Sequence, residues 1–174
     1  LTAVVSMADT GGSARKERDE YGLLPSSDVR KALIALSEAN GKSGGLLREL
    51  FTYRFEEGDL AGMAFGNLFL VALSKVLGSQ ETAIARAGEI LGIRGRVLPV
   101  TLDKVDLVAK YEDGRVVVGE HLIDEPQQDH RGRLTELTAK PAGTIFSKAR
   151  EAIMAAETIV LGPGDLFTSV LATI

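Results

Sequence analysis

The sequence predicts an α/β fold, in which a Rossmann-like, mostly parallel sheet carries helices on both faces and a β-hairpin insertion. Two apolar runs, at 1–7 and 158–161, each lead directly into a glycine-containing turn. That order is typical of parallel strands whose carboxyl ends bind ligands in open α/β sheets. A two-residue alternation from 105 to 118, interrupted by the turn sequence Glu112-Asp113-Gly114, predicts the hairpin.

In the first half, one strand precedes a series of helices. The polar, glycine-containing stretch between Asp9 and Asp28 is expected to be a long loop, with the charge run 15–20 exposed to solvent. Ser26 or Ser27 is expected to cap a helix whose first turn contains Asp28. Helical periodicity predicts three more helices: one after the glycine-rich break 40–45, a buried one at 62–77, and one at 80–91.

The second half alternates strands with polar segments. A strand is expected around 97–100, before the hairpin. The polar stretch 121–133, which holds both histidines, is expected to be a solvated loop rather than a metal site. A short strand is predicted at 134–137 and a helix at 145–156. The last elements are a buried strand at 158–161, the turn Gly162-Pro163-Gly164 and a helix that begins at Asp165.

The composition excludes several classes of protein. The chain has 174 residues, of which 45% are hydrophobic and 25% charged, and its net charge is −4. These values are ordinary for one globular domain, and the acidic balance argues against a nucleic-acid-binding protein. The absence of cysteine excludes disulfides and thiolate metal sites. Because no run has the length of a membrane span and none resembles a secretory signal, we expect a cytoplasmic protein without membrane insertion.

Two carboxylates mark the predicted ligand edge of the sheet. Asp9 ends the first strand, just before Gly11, Gly12 and Ser13, and Asp28 follows 19 residues later. If the fold brings the two acids together, they can hold a divalent cation such as Mg2+, which in turn binds phosphates. The alternative is structural, because Asp9 would then simply end a strand and Asp28 would complement a helix dipole. The spacing leaves both open, and Mg2+ is the one cofactor it suggests.

A second candidate site follows the last predicted strand. A glycine turn that leads into a helix exposes backbone N–H groups to a phosphate, here those of Gly162 and Gly164, while Thr168 and Ser169 add hydroxyl donors. The alternative is a tight turn in which Asp165 caps the helix. No nucleophile with an adjacent base is visible, so the residues predict binding rather than turnover.

Asn67 is the polar exception within the buried helix predicted at 62–77. A buried amide must find hydrogen-bond partners or cost about 1–3 kcal/mol. Asn67 therefore either braces a neighbouring segment or faces a ligand, and the brace is favoured on general grounds.

Six motifs in order resemble one known family. They are Ala8-Asp9-Thr10-Gly11-Gly12-Ser13, Leu23-Leu24-Pro25-Ser26-Ser27-Asp28-Val29-Arg30, Tyr53-Arg54-Phe55, Phe65-Gly66-Asn67-Leu68, Ile93-Arg94-Gly95-Arg96-Val97-Leu98-Pro99 and Leu161-Gly162-Pro163-Gly164-Asp165-Leu166-Phe167-Thr168-Ser169. The sequence is similar to the YvcK branch of the CofD-like proteins, the gluconeogenesis factors. The resemblance implies a Rossmann-like sheet, a cytoplasmic location, binding of nucleotide sugars of the UDP-N-acetylglucosamine type and a role in bacterial cell shape on gluconeogenic carbon sources.

The other branch of that family implies a different function. CofD transferases pass a phospholactyl group from a guanosine diphosphate donor to a deazaflavin, and their two metal-associated acids match Asp9 and Asp28. The transferases typically continue their second acid with another Asp and a Thr, where this chain has Arg30 and Lys31. A cation in place of an acid argues against the same metal geometry.

The chain also departs from the YvcK pattern. Thr10 replaces a second acid, Ser26-Ser27 replace Pro-Gly, Met63 replaces a histidine, and Asp165 replaces a serine. The family's glycine-rich phosphate loop is absent, and the sequence opens on what looks like an internal strand without an initiator Met. We therefore expect residues 1–174 to form a single nucleotide-binding domain that is incomplete at both ends.

The leading hypothesis is a regulatory protein that binds a UDP-linked sugar and forms a homo-oligomer. The magnesium-dependent transferase is the alternative. The predicted ligand-binding residues lie in four segments of the chain: Asp9, Gly11, Gly12 and Ser13; Asp28 and Arg30; Asn67; and Gly162, Gly164, Thr168 and Ser169.

Overall fold

A computed structural model describes residues 1–38, 41–125 and 132–174, with side chains described from Gly44 onward in the second range, and it confirms the α/β class. Asn40, in the predicted break, and Asp129 and His130, in the predicted loop, lie outside these residues. The strands are β1 Thr2–Val5, β2 Arg96–Pro99, β3 Asp106–Tyr111, β4 Val116–Val118 and β5 Leu134–Lys140. The helices are α1 Gly12–Tyr21, α2 Ser27–Leu36, α3 Gly41–Thr52, α4 Phe65–Leu77, α5 Gln80–Leu91, α6 Glu120–Asp124 and α7 Ser147–Met154.

Two strands form the parallel part of the structure. β1 pairs with β2 so that Ala3 lies opposite Val97 and Val5 opposite Pro99. The N–H of Val100 donates to the carbonyl of Val5 at 2.8 Å, which extends the pairing by one residue. The two strands therefore end at the same edge of the sheet, which is where parallel α/β sheets bind ligands.

The predicted hairpin is confirmed as a separate antiparallel sheet of order β4-β3-β5. Val108 pairs with Val118 on one side and with Thr138 on the other. Leu107, Val108 and Ala109 are 3%, 4% and 0% exposed, so the middle of β3 is buried on both faces.

Two hydrophobic clusters meet at the end of β1. The first joins the parallel strands to α2, α3, α4 and α5, and its members include Met7, Leu33 and Phe51. The second joins the antiparallel sheet to α6 and includes Ala8, Leu107 and Ile123. Because Met7 and Ala8 are consecutive, the segment that carries Asp9 is held by both clusters.

The helix boundaries follow local rules in the middle of the chain. Gly78 ends α4 in the left-handed conformation, with φ of +67°, and the Ser79 hydroxyl accepts the N–H of Thr82 at the start of α5.

The helix predicted at 62–77 begins later, at Phe65, and Val76 near its end is 81% exposed rather than buried. The predicted break at 40–45 is wrong where it is described, because α3 begins at Gly41. Packing of Leu47 and Phe51 in the first cluster offsets the low helix propensity of the glycines.

Two other predictions are wrong. The loop expected between Asp9 and Asp28 is largely α1, whose Ala14 and Glu17 share a buried face one helical turn apart. The buried strand expected at 158–161 is exposed, with Ile159, Val160 and Leu161 at 59%, 81% and 68%. An apolar run forms a strand only where a neighbour pairs with its backbone, and no described strand includes this run.

The end of the chain turns rather than forming a regular helix. A five-residue π-helical turn, Leu166–Val170, leads into a 3-10 turn, Leu171–Thr173. None of the helices in the described part of the chain combines the length and apolar character needed to cross a membrane.

Candidate functional site

The candidate site lies at the edge where β1 and β2 end. Asp9 Oδ1 accepts the N–H of Gly11 at 2.8 Å, so the carboxylate folds the chain into a turn after the strand. α1 then starts at Gly12, whose φ is +39°. The Ser13 hydroxyl donates to the carbonyl of Gly62 at 3.5 Å, which attaches this turn to the segment before α4.

Helix α6 connects this turn to the end of the chain. The Thr10 N–H donates to Glu120 Oε2 at 3.4 Å, and the Thr10 hydroxyl accepts the N–H of His121 at 3.0 Å. At the other end of α6, Asp124 Oδ1 accepts the hydroxyl of Thr168 at 3.4 Å. The polar stretch predicted to be a solvated loop therefore contains a short helix that links the two predicted binding segments.

Apolar contacts connect the same segments. Ala8 and Ile123 belong to the second cluster, and Phe167 packs against it. The segments that carry Asp9 and Thr168 are far apart in sequence, but both pack against the second cluster.

The backbone at Gly164 packs closely against Ser169 in the last turn of the chain. Gly164 has φ of +148°, and a Cβ built on it would lie 2.7 Å from Cβ of Ser169. Only glycine allows this approach. Gly162 and Gly164 are exposed, while the N–H of Ser169 donates to the carbonyl of Asp165 at 3.0 Å. The backbone at 162–164 is open to solvent beside the α6 junction.

A buried acid lies beneath the site. Glu17 is 0% exposed, so its assignment to a solvated charge run is wrong. Its Oε2 accepts both the N–H and the hydroxyl of Ser26, at 3.0 and 2.6 Å, and its Oε1 accepts Nδ2 of Asn67 at 2.8 Å. The carboxyl group thus joins α1 to the residue before α2 and to the first turn of α4.

Asn67 and Arg30 act as braces in this structure. Asn67 also donates to the hydroxyl of Ser27 at 3.3 Å, which fits the brace that its burial predicts. The Arg30 side chain is 8% exposed and donates from Nη1 to the carbonyl of Phe51 at 3.2 Å. Contact of either side chain with a ligand stays a prediction.

Asp28 lies in the first turn of α2, as expected, with Ser26 preceding the helix. Its Oδ1 pairs with the ammonium group of Lys31 at 3.0 Å. The Ser26 hydroxyl does not cap α2, because it donates to Glu17 instead.

The acids of the site perturb one another. Burial raises the pKa of Glu120 to about 7, and the negative charge of Asp9 raises it further, against the hydrogen bond from Thr10. Burial likewise raises the pKa of Glu17 to about 7, against the bonds from Ser26 and Asn67. Near neutral pH, each of these carboxyl groups is protonated part of the time. Partial protonation reduces the negative charge that a phosphate would meet.

Within the described ranges, no group of three or more His, Asp or Glu side chains is placed to hold a metal ion. A cation held by Asp9 and Asp28 together stays a prediction.

A cleft of about 930 Å³ opens elsewhere, between α5, β2 and α7. Its walls include Ile84, Gly88, Val97 and Ala152. None of the predicted site residues lines it.

Glu17, Glu120 and Asp124 are not among the site residues that the sequence predicts. For Glu17 a signal was present, since Ser13, Ala14 and Glu17 fall on one face if 12–21 is read as a helix. Glu120 and Asp124 carry no such signal, because their roles depend on where α6 packs.

Comparisons with known proteins agree with this architecture. The family model described as 2-phospho-L-lactate transferase CofD matches residues 1–174. A Nostoc relative is 42% identical over 173 residues, covering 98% of this chain and 36% of its own length. The Listeria monocytogenes protein named gluconeogenesis factor is 40% identical over 173 residues, covering 98% of this chain and 51% of its own.

A solved structure supports the same relationship. A Bacillus halodurans protein described as a member of the UPF0052 family superposes with a TM-score of 0.88 at 37% identity, over 99% of this chain and 53% of that one. The chain thus spans about a third to about half of the length of these relatives. It belongs to the CofD-like family, in the branch whose curated members are named gluconeogenesis factor.

Proposed function

We propose that this protein is a cytoplasmic regulatory protein that binds a nucleotide sugar of the UDP-N-acetylglucosamine type without consuming it. It acts in the maintenance of bacterial cell shape during gluconeogenic growth, as a homo-oligomer. The curated name of its relatives supports the metabolic setting.

The observation that carries the proposal is the bridge made by α6. Thr10 and Thr168 are 158 residues apart in the sequence, yet both are hydrogen-bonded to this five-residue helix. A diphosphate between the two segments would meet exposed backbone at 162–164 and the turn that begins at Asp9. Protonation of Glu120 near neutral pH lowers the repulsion that such a ligand would experience.

Titration calorimetry tests the binding proposal. We expect saturable binding of UDP-N-acetylglucosamine, and weaker binding by the Thr168→Val variant, because Thr168 is buried and the substitution removes the hydrogen bond that attaches the last segment to α6. The matched control is Thr135→Val, an exposed threonine on β5. A melting temperature that stays constant across a panel of nucleotide sugars would contradict binding, since a ligand at about 100 times its Kd stabilises by about 2.7 kcal/mol.

The alternative function is a magnesium-dependent transfer of a phospholactyl group to a deazaflavin. The description of the matching family model favours testing it. Incubation with a guanosine diphosphate donor, a deazaflavin and Mg2+ would then give a modified deazaflavin. We expect none, and its formation would replace the regulatory proposal.

A further inference from the structure

We propose that Glu17, Ser26 and Asn67 form a proton-dependent latch, whose state sets the affinity of the adjacent site for an anionic ligand. This inference rests on the proposed function for the ligand, but the latch itself is defined by contacts in the protein. The three residues come from α1, the residue before α2, and α4.

The latch lies where two helices begin. Ser26 precedes α2, and Asn67 lies in the first turn of α4. A carboxylate at this position is stabilised by the free N–H groups and dipoles of helix N-termini. Burial opposes that charge, because Glu17 is completely removed from solvent. These opposing effects leave the two protonation states close in energy, in line with a pKa of about 7.

The hydrogen bonds show what changes when a proton binds. Ionised Glu17 accepts from Ser26 and Asn67, while Oδ1 of Asn67 is buried without a partner. A protonated Glu17 has a hydrogen to donate. Rotation of the Asn67 amide by about 180° would present its orphan oxygen to that hydrogen. The rotation would move Nδ2 to the position that Oδ1 leaves, so the two arrangements each leave one polar group of Asn67 without a partner.

The second arrangement releases the Ser26 hydroxyl from Glu17. In the ionised state the Ser26 hydroxyl is directed at Glu17 and leaves α2 uncapped. When Glu17 is neutral, the hydroxyl is free to cap α2 instead. Asp28, two residues further on, lies in the helical turn that this exchange affects.

Two charged side chains, those of Asp9 and Arg30, interact electrostatically with Glu17. The negative charge of Asp9 raises the pKa of Glu17, after burial. Burial, and then the charge of Arg54, lower the pKa of Arg30, while Glu17 opposes both. An anion bound beside Asp9 would add negative charge and favour the protonated latch. By linkage, protonation of Glu17 must strengthen binding of that anion by the same factor.

The experiment measures the affinity for UDP-N-acetylglucosamine from about pH 6 to about pH 8.5, where a group of pKa about 7 titrates. A Glu120→Gln background removes the other acid that titrates there. We expect the affinity to fall about 3- to 10-fold as pH rises, and Glu17→Gln to abolish most of that fall. Glu20→Gln, an exposed position on the same helix, is the matched control and should keep it.

Calorimetry in buffers of different ionisation enthalpy gives a second readout. Binding near pH 7 should take up a fraction of one proton, and Glu17→Gln should remove that uptake. If affinity is independent of pH, or if Glu17→Gln retains the full pH dependence, the latch proposal is overturned while the binding function stands.

A third measurement separates the latch from the ligand. Hydrogen exchange of the free protein at residues 26–30 should change between pH 6 and 8.5, after correction for intrinsic rates, and Glu17→Gln should remove the change. If nucleotide sugars fail to bind while this change is present, the proposed function fails and the latch stands. An unchanged corrected exchange rate in the wild-type protein would overturn the latch.

Discussion

At the scale of single residues, buried polar side chains connect separate helices of this protein. Glu17 is ionisable yet completely buried, and its three accepted hydrogen bonds bind it to Ser26, just before α2, and to Asn67 in α4. Burial of a carboxyl group favours its protonated form. The stability of the protein should therefore respond to pH through this residue.

The Glu17→Gln variant tests that response. The pKa of Glu17 is raised from 4.5 to about 7 in the folded protein, so the folded state binds the proton more tightly than the unfolded state. This contribution to stability is complete below about pH 4.5, falls as pH rises towards 7, and is lost above it. At pH 8, Glu17→Gln should be more stable than wild type by about 2 kcal/mol. Urea unfolding at several pH values measures this, and equal pH profiles for the two proteins would refute it.

Gly66 is constrained by space rather than by its backbone angles. A Cβ at this position would lie 2.8 Å from the Phe51 carbonyl oxygen and 2.8 Å from Arg30 Cδ. Gly66→Ala should therefore destabilise the protein by about 1–3 kcal/mol. Gly45→Ala is the control, because a Cβ there has open space in helix α3, and it should stabilise by about 0.5–1 kcal/mol. Denaturant midpoints measure both, and equal effects would contradict the packing argument.

At the scale of elements, α6 shows how a short helix gains importance from its position. Five residues are too few to form a stable helix alone. Ile123 anchors α6 in the second cluster, and the polar contacts of Thr10 and Asp124 hold its two ends. The site segments are thus connected through an element whose own stability comes from its neighbours.

Thr10→Val tests this connection. The substitution keeps the shape of the side chain and removes the acceptor of the His121 N–H. We expect a loss of about 1 kcal/mol in stability and faster hydrogen exchange at 120–124 than elsewhere. Thr158→Val, at an exposed position after α7, should change neither quantity. Unaltered exchange in α6 would show that Thr10 does not hold it.

At the scale of the whole molecule, the two clusters share the segment that follows β1. Met7 is 1% exposed in the first cluster and Ala8 is 2% exposed in the second. Arg18 on α1 also pairs with Asp106 on β3 at 2.7 Å, so a polar contact crosses between the same regions. These connections predict that the two parts unfold together.

Leu33→Ala in the first cluster and Leu107→Ala in the second test this cooperativity. Each side chain is buried, at 0% and 3% exposure, so each substitution should cost about 2–5 kcal/mol. Both variants should lower the midpoint of one common transition, followed by far-ultraviolet dichroism and by tyrosine fluorescence. Two separate transitions, each sensitive to only one variant, would show that the clusters fold independently.

The sequence by itself determined the elements whose signals are local. The α5 boundaries follow from Ser79 and Gly92, and the hairpin follows from alternation around Gly114, because caps and turns depend on neighbouring residues. The six motifs also identified the family. Asp28 was correctly placed in the first turn of α2, whereas β1 ends at Val5, four residues before Asp9.

Only the tertiary structure decided how these pieces meet. Burial of Glu17, the bridge made by α6 and the exposure of 158–161 depend on contacts between segments that are distant in sequence. A helical period shows which side chains share a face, but not which face another element covers. The chemistry of the site thus depends on packing, since burial is what moves the pKa of Glu17 and of Glu120 towards neutrality.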